Sequence, residues 1–256
     1  MNYKNTLVTF THASYYVPFY LRPFLSSNMK RDNNRLLKNF SDFATFYLSE
    51  GIDERNKVIC NFSRSIWDPN RGLDSHDLFR ENDFNNIKVW KITFPNFIKK
   101  YLINKYYKKY HNEVEKKLLA LEQEYWNVIH LDIHDTGNIL MWETIQEDKN
   151  KDLYFPVVNL WNIDNTSCTN EFSNKICGLF EKEFWEKPKL NWPYWGGFVT
   201  KKYGVWFSNR ETIQVEFGRY LFMDERTQII DQDKMKKAID NFENVLLELS
   251  RLHIQN

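Results

Sequence analysis

The sequence predicts an α/β sandwich built around a mostly parallel sheet. Three observations carry that reading. Short β-branched and aromatic runs alternate with segments whose apolar residues recur every three to four positions, the pattern of βαβ units. One run, Val128-Ile129-His130-Leu131-Asp132-Ile133, delivers imidazole and acidic groups to its end and then breaks at Gly137. The last segment sets Met235, Ile239, Phe242, Leu246, Leu249 and Leu252 on a single helical stripe, which needs a sheet or helix to cover it.

Taken in order, Thr6–Phe10 reads as the opening strand and ends at Thr11-His12-Ala13-Ser14. Helical spacing runs from Leu36 to Leu48. Lys57–Phe62 reads as a second strand, followed by the Asp68-Pro69-Asn70-Arg71-Gly72 turn. Ile98–Trp126 holds no Pro or Gly and predicts one long helix or a helix pair. After the strand Val128–Ile133 and a charged loop, Gln146 to Lys151, Phe155–Trp161 is a further strand. Phe172–Phe184 is helical, and Pro188, Pro193, Gly196 and Gly197 mark a long loop. Thr212–Phe217 alternates as a strand, and the terminal helix takes Asp231 or Asp233 as its cap.

With 256 residues, 42% of them hydrophobic and 17% aromatic, the chain can bury a large core, and one domain is the preferred organisation. A formal net charge of +1 leaves no global field for nucleic acid or an anionic membrane. Cys60, Cys168 and Cys177 form no CxxC pair, so the expectation is free thiols rather than a disulfide framework. The N-terminal apolar run reaches His12 too soon for a signal peptide, and no long apolar span follows; a cytoplasmic protein is expected.

Three polar strand ends stand out: His12, His134, and Glu216 within Ile213-Gln214-Val215-Glu216-Phe217. A zinc hydrolase needs neutral or anionic ligands, an open position for water and a carboxylate to take the water proton. Spacing alone also admits a structural role for each histidine, because no local signature such as HExxH is present. Arg64 and Arg71, flanking one loop with Asn70, suit bidentate capture of a carboxylate; the alternative is a turn in which Arg71 pairs with a nearby acid. Lysines and tyrosines interleave from Phe97 to Lys117, as in single-strand nucleic-acid binders, but their period is that of a solvated helix face.

Read together, these segments resemble the N-formylglutamate amidohydrolase family of zinc hydrolases. Thr11-His12-Ala13-Ser14 with Pro18 is similar to its opening turn, and Ser41-Asp42-Phe43-Ala44-Thr45 to its next acidic motif. Ser63-Arg64 with Asp68-Pro69-Asn70-Arg71 resembles the "SR…D-x-NR" segment, and Leu131 to Gly137 the "DxH" strand end. Asn191 to Phe198 resembles the "PYxGG" loop, and Gln214 to Met223 the "QxE-x-x-RxLYM" segment. The match spans roughly residues 7 to 225 and departs most at Thr11, where the usual proline is missing, and over Phe94–Trp126.

The resemblance implies one domain over residues 1–256, a three-layer sandwich with a mixed, mostly parallel sheet between helices. This is the phosphorylase/hydrolase-like fold of zinc carboxypeptidases. It implies one Zn2+ held by His12, Asp42 and His134, with Asp42 supplying the acid because Tyr15 occupies the last position of the related H-x-x-E motif. Glu216 is the implied general base. Arg64, Asn70 and Arg71 would hold the substrate carboxylate or the oxyanion, with Arg219, His111, Gly196 and Gly197 completing the substrate site. Asp132 and Asp135 flank His134 and are candidates to orient an imidazole or to serve structure alone. The expected reaction is hydrolysis of an N-formyl or other N-acyl amino acid by metal-activated water, with a small-molecule substrate and no nucleic-acid or membrane partner. Two other readings stand beside it: a non-catalytic relative that binds an acidic ligand or protein partner, and a nucleic-acid module using the Lys/Tyr helix.

Overall fold

Every side chain of Thr6–Phe10 (β1) is buried, as expected of a strand with helices on both its faces. In the computed structural model, which describes residues 3–31, 34–137, 156–192, 196–204 and 209–252, this strand pairs in parallel with Lys57–Ile59 (β2) on one side. On its other side it pairs in parallel with Val128–Thr136 (β3). Val158–Trp161 (β4), Lys189–Leu190 (β5) and Arg210–Gly218 (β6) complete a six-stranded sheet of order β2-β1-β3-β6-β4-β5. The strands are parallel from β2 through β6; β4 runs antiparallel to β6, and β5 parallel to β4. Met223–Asp224 (β7) and Ile229–Ile230 (β8) add a small separate hairpin.

Two helical layers cover the sheet. Against one face pack Asn170–Phe184 (α5) and Gln232–Leu252 (α7), through a cluster that includes Phe180, Phe217 and Phe242. Thr169 caps α5 by accepting from the Phe172 N–H at 3.1 Å, and Asp231 caps α7 by accepting from the Lys234 N–H at 3.1 Å. Asp231, not Asp233, therefore holds the capping position.

The other face is covered by Asn96–Leu102 (α3) and Lys108–Glu124 (α4), continuous through a wider π-type turn at Ile103–Tyr107. Tyr106, Tyr107 and Tyr110 lie in the core with Val114 and Leu118, while lysines of the same run take the outer face. The interleaving of Lys and Tyr thus follows from a helix with one buried side. No described helix is long and apolar enough to cross a membrane.

The helical spacing from Leu36 to Leu48 resolves into two short helices, Arg35–Asn39 (α1) and Thr45–Leu48 (α2). Between them the chain turns so that the Asp42 N–H donates to the His12 carbonyl at 3.0 Å. That bond ties the break to the end of β1, which is why periodicity alone overruns it. The second strand likewise ends at Ile59, before Phe62. Phe155, the loop Gln146 to Lys151, Asn138 and the Pro193-Tyr194-Trp195 portion of the long loop lie outside the described residues. All three cysteines are free, with Cys60 and Cys168 buried.

Candidate metal centre and active site

Neighbouring parallel strands set the heart of the site. In the β3–β6 register His134 lies opposite Glu216, so both side chains leave the same face of the sheet roughly 5 Å apart at the backbone. His12 follows β1, the strand on the other side of β3. Its ring meets that of His134 edge-on, with centroids 4.8 Å apart. The turn at Asp42, tied to the His12 carbonyl, completes the group.

Hydrogen bonds orient the two imidazoles alike. The Nε2 of His12 donates to Asp68 Oδ1 at 2.7 Å, and the Nε2 of His134 donates to Asp132 Oδ2 at 2.9 Å. Both rings therefore turn Nδ1 inward. His134 Nδ1 lies 2.8 Å and His12 Nδ1 3.4 Å from the same atom, Asp42 Oδ2. One ligand atom from each residue, all within 4.8 Å of one another, surrounds a single point.

This arrangement fits a divalent cation. His12 Nδ1 is buried and has no hydrogen-bond partner, an orphan that burial makes costly. Carboxylates on the outer nitrogens fix the tautomer that leaves Nδ1 as an electron-pair donor, the usual support of a metal-binding imidazole. With both Nε2 atoms protonated, three acceptors face one another around a small space. A cation relieves that conflict. Without one, His134 is held well above the usual imidazole range: burial lowers its pKa, but Asp132, Asp42 and Glu216 outweigh burial. Burial likewise raises Asp42 and Asp68, yet His12 and His134 hold the first, and Arg64 and His12 the second, below the carboxylate range.

Glu216 differs. Burial lifts its carboxyl to about 7 against the opposing pull of His134, with the nearby Asp42 charge adding to the rise. A carboxylate poised near neutrality suits proton transfer in both directions. Its two oxygens are anchored, one by the Thr136 hydroxyl and the other by Gln214 Nε2 at 3.0 Å.

The family model for N-formylglutamate amidohydrolase matches residues 5–223. The chain belongs to the N-formylglutamate amidohydrolase family. Its fold is similar to the crystal structure of an N-formylglutamate amidohydrolase from Ralstonia eutropha JMP134, with a TM-score of 0.82 at 19% identity over 98% of this chain and 94% of the other. It is also similar to a gene product of Agrobacterium tumefaciens, with a TM-score of 0.71 at 15% identity over 98% and 91%. Comparison with curated proteins finds no match.

The other family motifs build the surroundings. Gly197 donates its N–H to Gln214 Oε1 at 2.8 Å, and Gln214 in turn reaches Glu216, so the glycine loop is fastened beside Glu216. Gly196 stands at φ +96°, in the left-handed region, and a Cβ on Gly197 would fall 2.0 Å from the Asn70 amide. Asn70 Oδ1 accepts from the Val199 N–H at 2.9 Å and so holds the start of Phe198–Tyr203 (α6). Arg71 Nη1 donates to the Asn70 carbonyl at 2.8 Å.

Three residues implied as substrate or catalytic groups are engaged by the protein itself. Arg64 donates to Asp68 Oδ2 at 2.6 Å and lies over the Phe40 and Phe84 rings. It thereby steadies the carboxylate that orients His12. Arg219 is buried, paired with Asp135, and donates to the carbonyls of Ser41 at 2.6 Å and Asn39 at 3.2 Å, which pins the segment carrying Asp42. His111 spends both ring nitrogens, donating from Nε2 to the Pro69 carbonyl at 3.1 Å and meeting the Tyr203 hydroxyl at 2.9 Å through Nδ1.

Sequence reasoning named Asp68 only as part of a turn, and missed Thr11 and Gln214 as supports. Asp132 takes hydrogen bonds from Thr11 and, at 2.8 Å, from Thr9, so its orienting role reaches back into β1. The signal for Asp68 was its place in the same motif as Arg64 and Asn70.

Burial also sets an acid limit on the fold. It pushes His111 down to about 3 and His130 down to about 4, so both stay neutral when folded. Unfolded histidine titrates near ~6.5, so this stability is complete above that pH and is lost as pH falls toward the folded values. The expected loss between pH 6.5 and 4.5 is on the order of a few kcal/mol. Thermal melts across that range should show His111→Gln declining less steeply than wild type; parallel declines would remove His111 from the explanation.

Proposed function

We propose that the protein is a metal-dependent amidohydrolase that releases formate or another small acyl group from an N-acyl amino acid, with Zn2+ at His12, Asp42 and His134. The orphaned Nδ1 of His12, facing His134 Nδ1 and Asp42 Oδ2, carries this reading. Two nitrogen donors and one carboxylate in a three-residue set match the protein ligands of catalytic zinc sites. When bound, the cation lowers the pKa of a water and polarises the acyl carbonyl.

The chain's own residues do the rest. Glu216 accepts the water proton as the hydroxyl adds to the acyl carbon, then returns it to the departing nitrogen as the C–N bond breaks. Thr136 and Gln214 hold its carboxyl in place for both transfers. Asp68 and Asp132 keep the two imidazoles in one tautomer throughout. Buried donors aimed before the reaction begins need little reorganisation at the transition state. A buried carboxylate anchored on both oxygens beside three converging ligand atoms is the arrangement proton transfer needs and simple binding does not, which favours the enzyme over the non-catalytic reading.

The test is elemental analysis of the purified protein together with formate and amine release from N-formyl and N-acyl amino acids. Expected are one zinc per chain, and hydrolysis abolished by chelation and restored by Zn2+. A protein that neither holds nor takes up a divalent cation would sink the proposal.

A further inference from the structure

A groove of about 1010 Å³ is lined by residues that follow two of the proposed metal ligands directly in the chain. Its wall begins at Ala13 and Ser14, directly after His12, and at Phe43, directly after Asp42. Tyr15, Phe43 and Phe46 give it aromatic faces, and Arg22, Lys30 and Lys38 give it charge. No carboxylate is among its described lining residues.

Among the described residues the cations have no recorded acidic partner. Arg22 Nε donates to the Val17 carbonyl and Lys30 Nζ to the Pro23 carbonyl. Lys38 is half-buried, with its ammonium 5.4 Å from the Tyr15 ring centre and 5.5 Å from that of Phe43. Among the described residues these two rings are its only recorded partners. A half-buried ammonium over two aromatic faces, with no counter-ion among the described residues, is suited to a carboxylate presented by a ligand.

Size and charge decide what enters. A formylated dicarboxylic amino acid would leave most of this volume empty, because pockets of this size enclose drug-sized ligands. In an N-acyl amino acid the acyl side is uncharged and the amine side bears the carboxylates, so a cationic groove receives the amine side. We propose that the groove binds an amine portion longer than one amino acid, ending in an aromatic residue with a free carboxylate, as in an N-acyl dipeptide, and that Lys38 selects it. This rests on the amidohydrolase reading.

The test compares N-formylglutamate with N-formylglutamylphenylalanine on the zinc-loaded enzyme and on its Lys38→Met and Phe46→Ala variants. The dipeptide should be preferred in kcat/KM by at least about tenfold, with that preference falling about tenfold in Lys38→Met, chiefly through KM. Phe46→Ala, at a partly exposed ring, should narrow the preference too and guards against a misfolded first variant. Equal or better turnover of N-formylglutamate, or a preference unchanged in both variants, overturns the groove assignment and leaves the amidohydrolase reading standing. If neither compound is hydrolysed, the amidohydrolase reading fails for N-formyl substrates. Calorimetry then decides the groove alone: dipeptide binding weakened in Lys38→Met supports it, and no binding or equal binding refutes it.

Discussion

Glu216→Gln is expected to retain the metal content of the wild type and to hydrolyse the amide about a thousandfold more slowly. The substitution keeps the shape of the side chain and removes only its ability to take a proton. Thr136 and Gln214 remain as hydrogen-bond partners, so the local structure should change little. Metal content is expected to survive because Glu216 is not among the three converging ligand atoms. The loss should fall on kcat more than on KM, since proton transfer belongs to the transition state and not to substrate binding. Activity within tenfold of wild type would require another base.

His134→Ala is the complementary experiment, and it should purify without metal and without measurable hydrolysis. It deletes one of three ligand atoms and also strands Asp132, which loses the imidazole that compensates its buried charge. Leaving one partner of a buried pair alone costs about 3–5 kcal/mol, so a lowered melting temperature is expected as well. Asp132→Asn separates the two effects. It keeps the three ligand atoms and removes only the carboxylate behind the ring, for which about 10- to 100-fold weaker metal affinity is expected. Metal bound by His134→Ala with wild-type stoichiometry would exclude the assigned centre.

The parts of the site legible in the sequence were those at strand ends. His134 and Glu216 stand on runs whose alternation announces strands, and parallel pairing of β3 with β6 was the missing step that set them side by side. His12 was readable because a strand precedes it, and Asp42 only through the ordered motifs, since the helical spacing around it conceals the break between α1 and α2. Roles that depend on which way a side chain turns were not legible. Arg219 and Arg64 have the chemistry of substrate clamps, but both guanidiniums are directed at the protein's own carboxylates and carbonyls. His111 has the chemistry of a binding residue, yet two elements distant in sequence close on its ring. Short hairpins such as β7–β8 carry too little periodicity to be read at all.

The pairing of β1 with β3 has a consequence for the order in which the protein matures. His134 and Asp42 are 92 residues apart along the chain, and the Thr11–Asp132 bond behind them spans 121. An unfolded chain therefore does not bring the three ligand residues together, and contacts of such long range form slowly because their loops must close first. A cation at this centre can be captured only after the central strands have zipped together. Metal loading would then report completed assembly of the central strands.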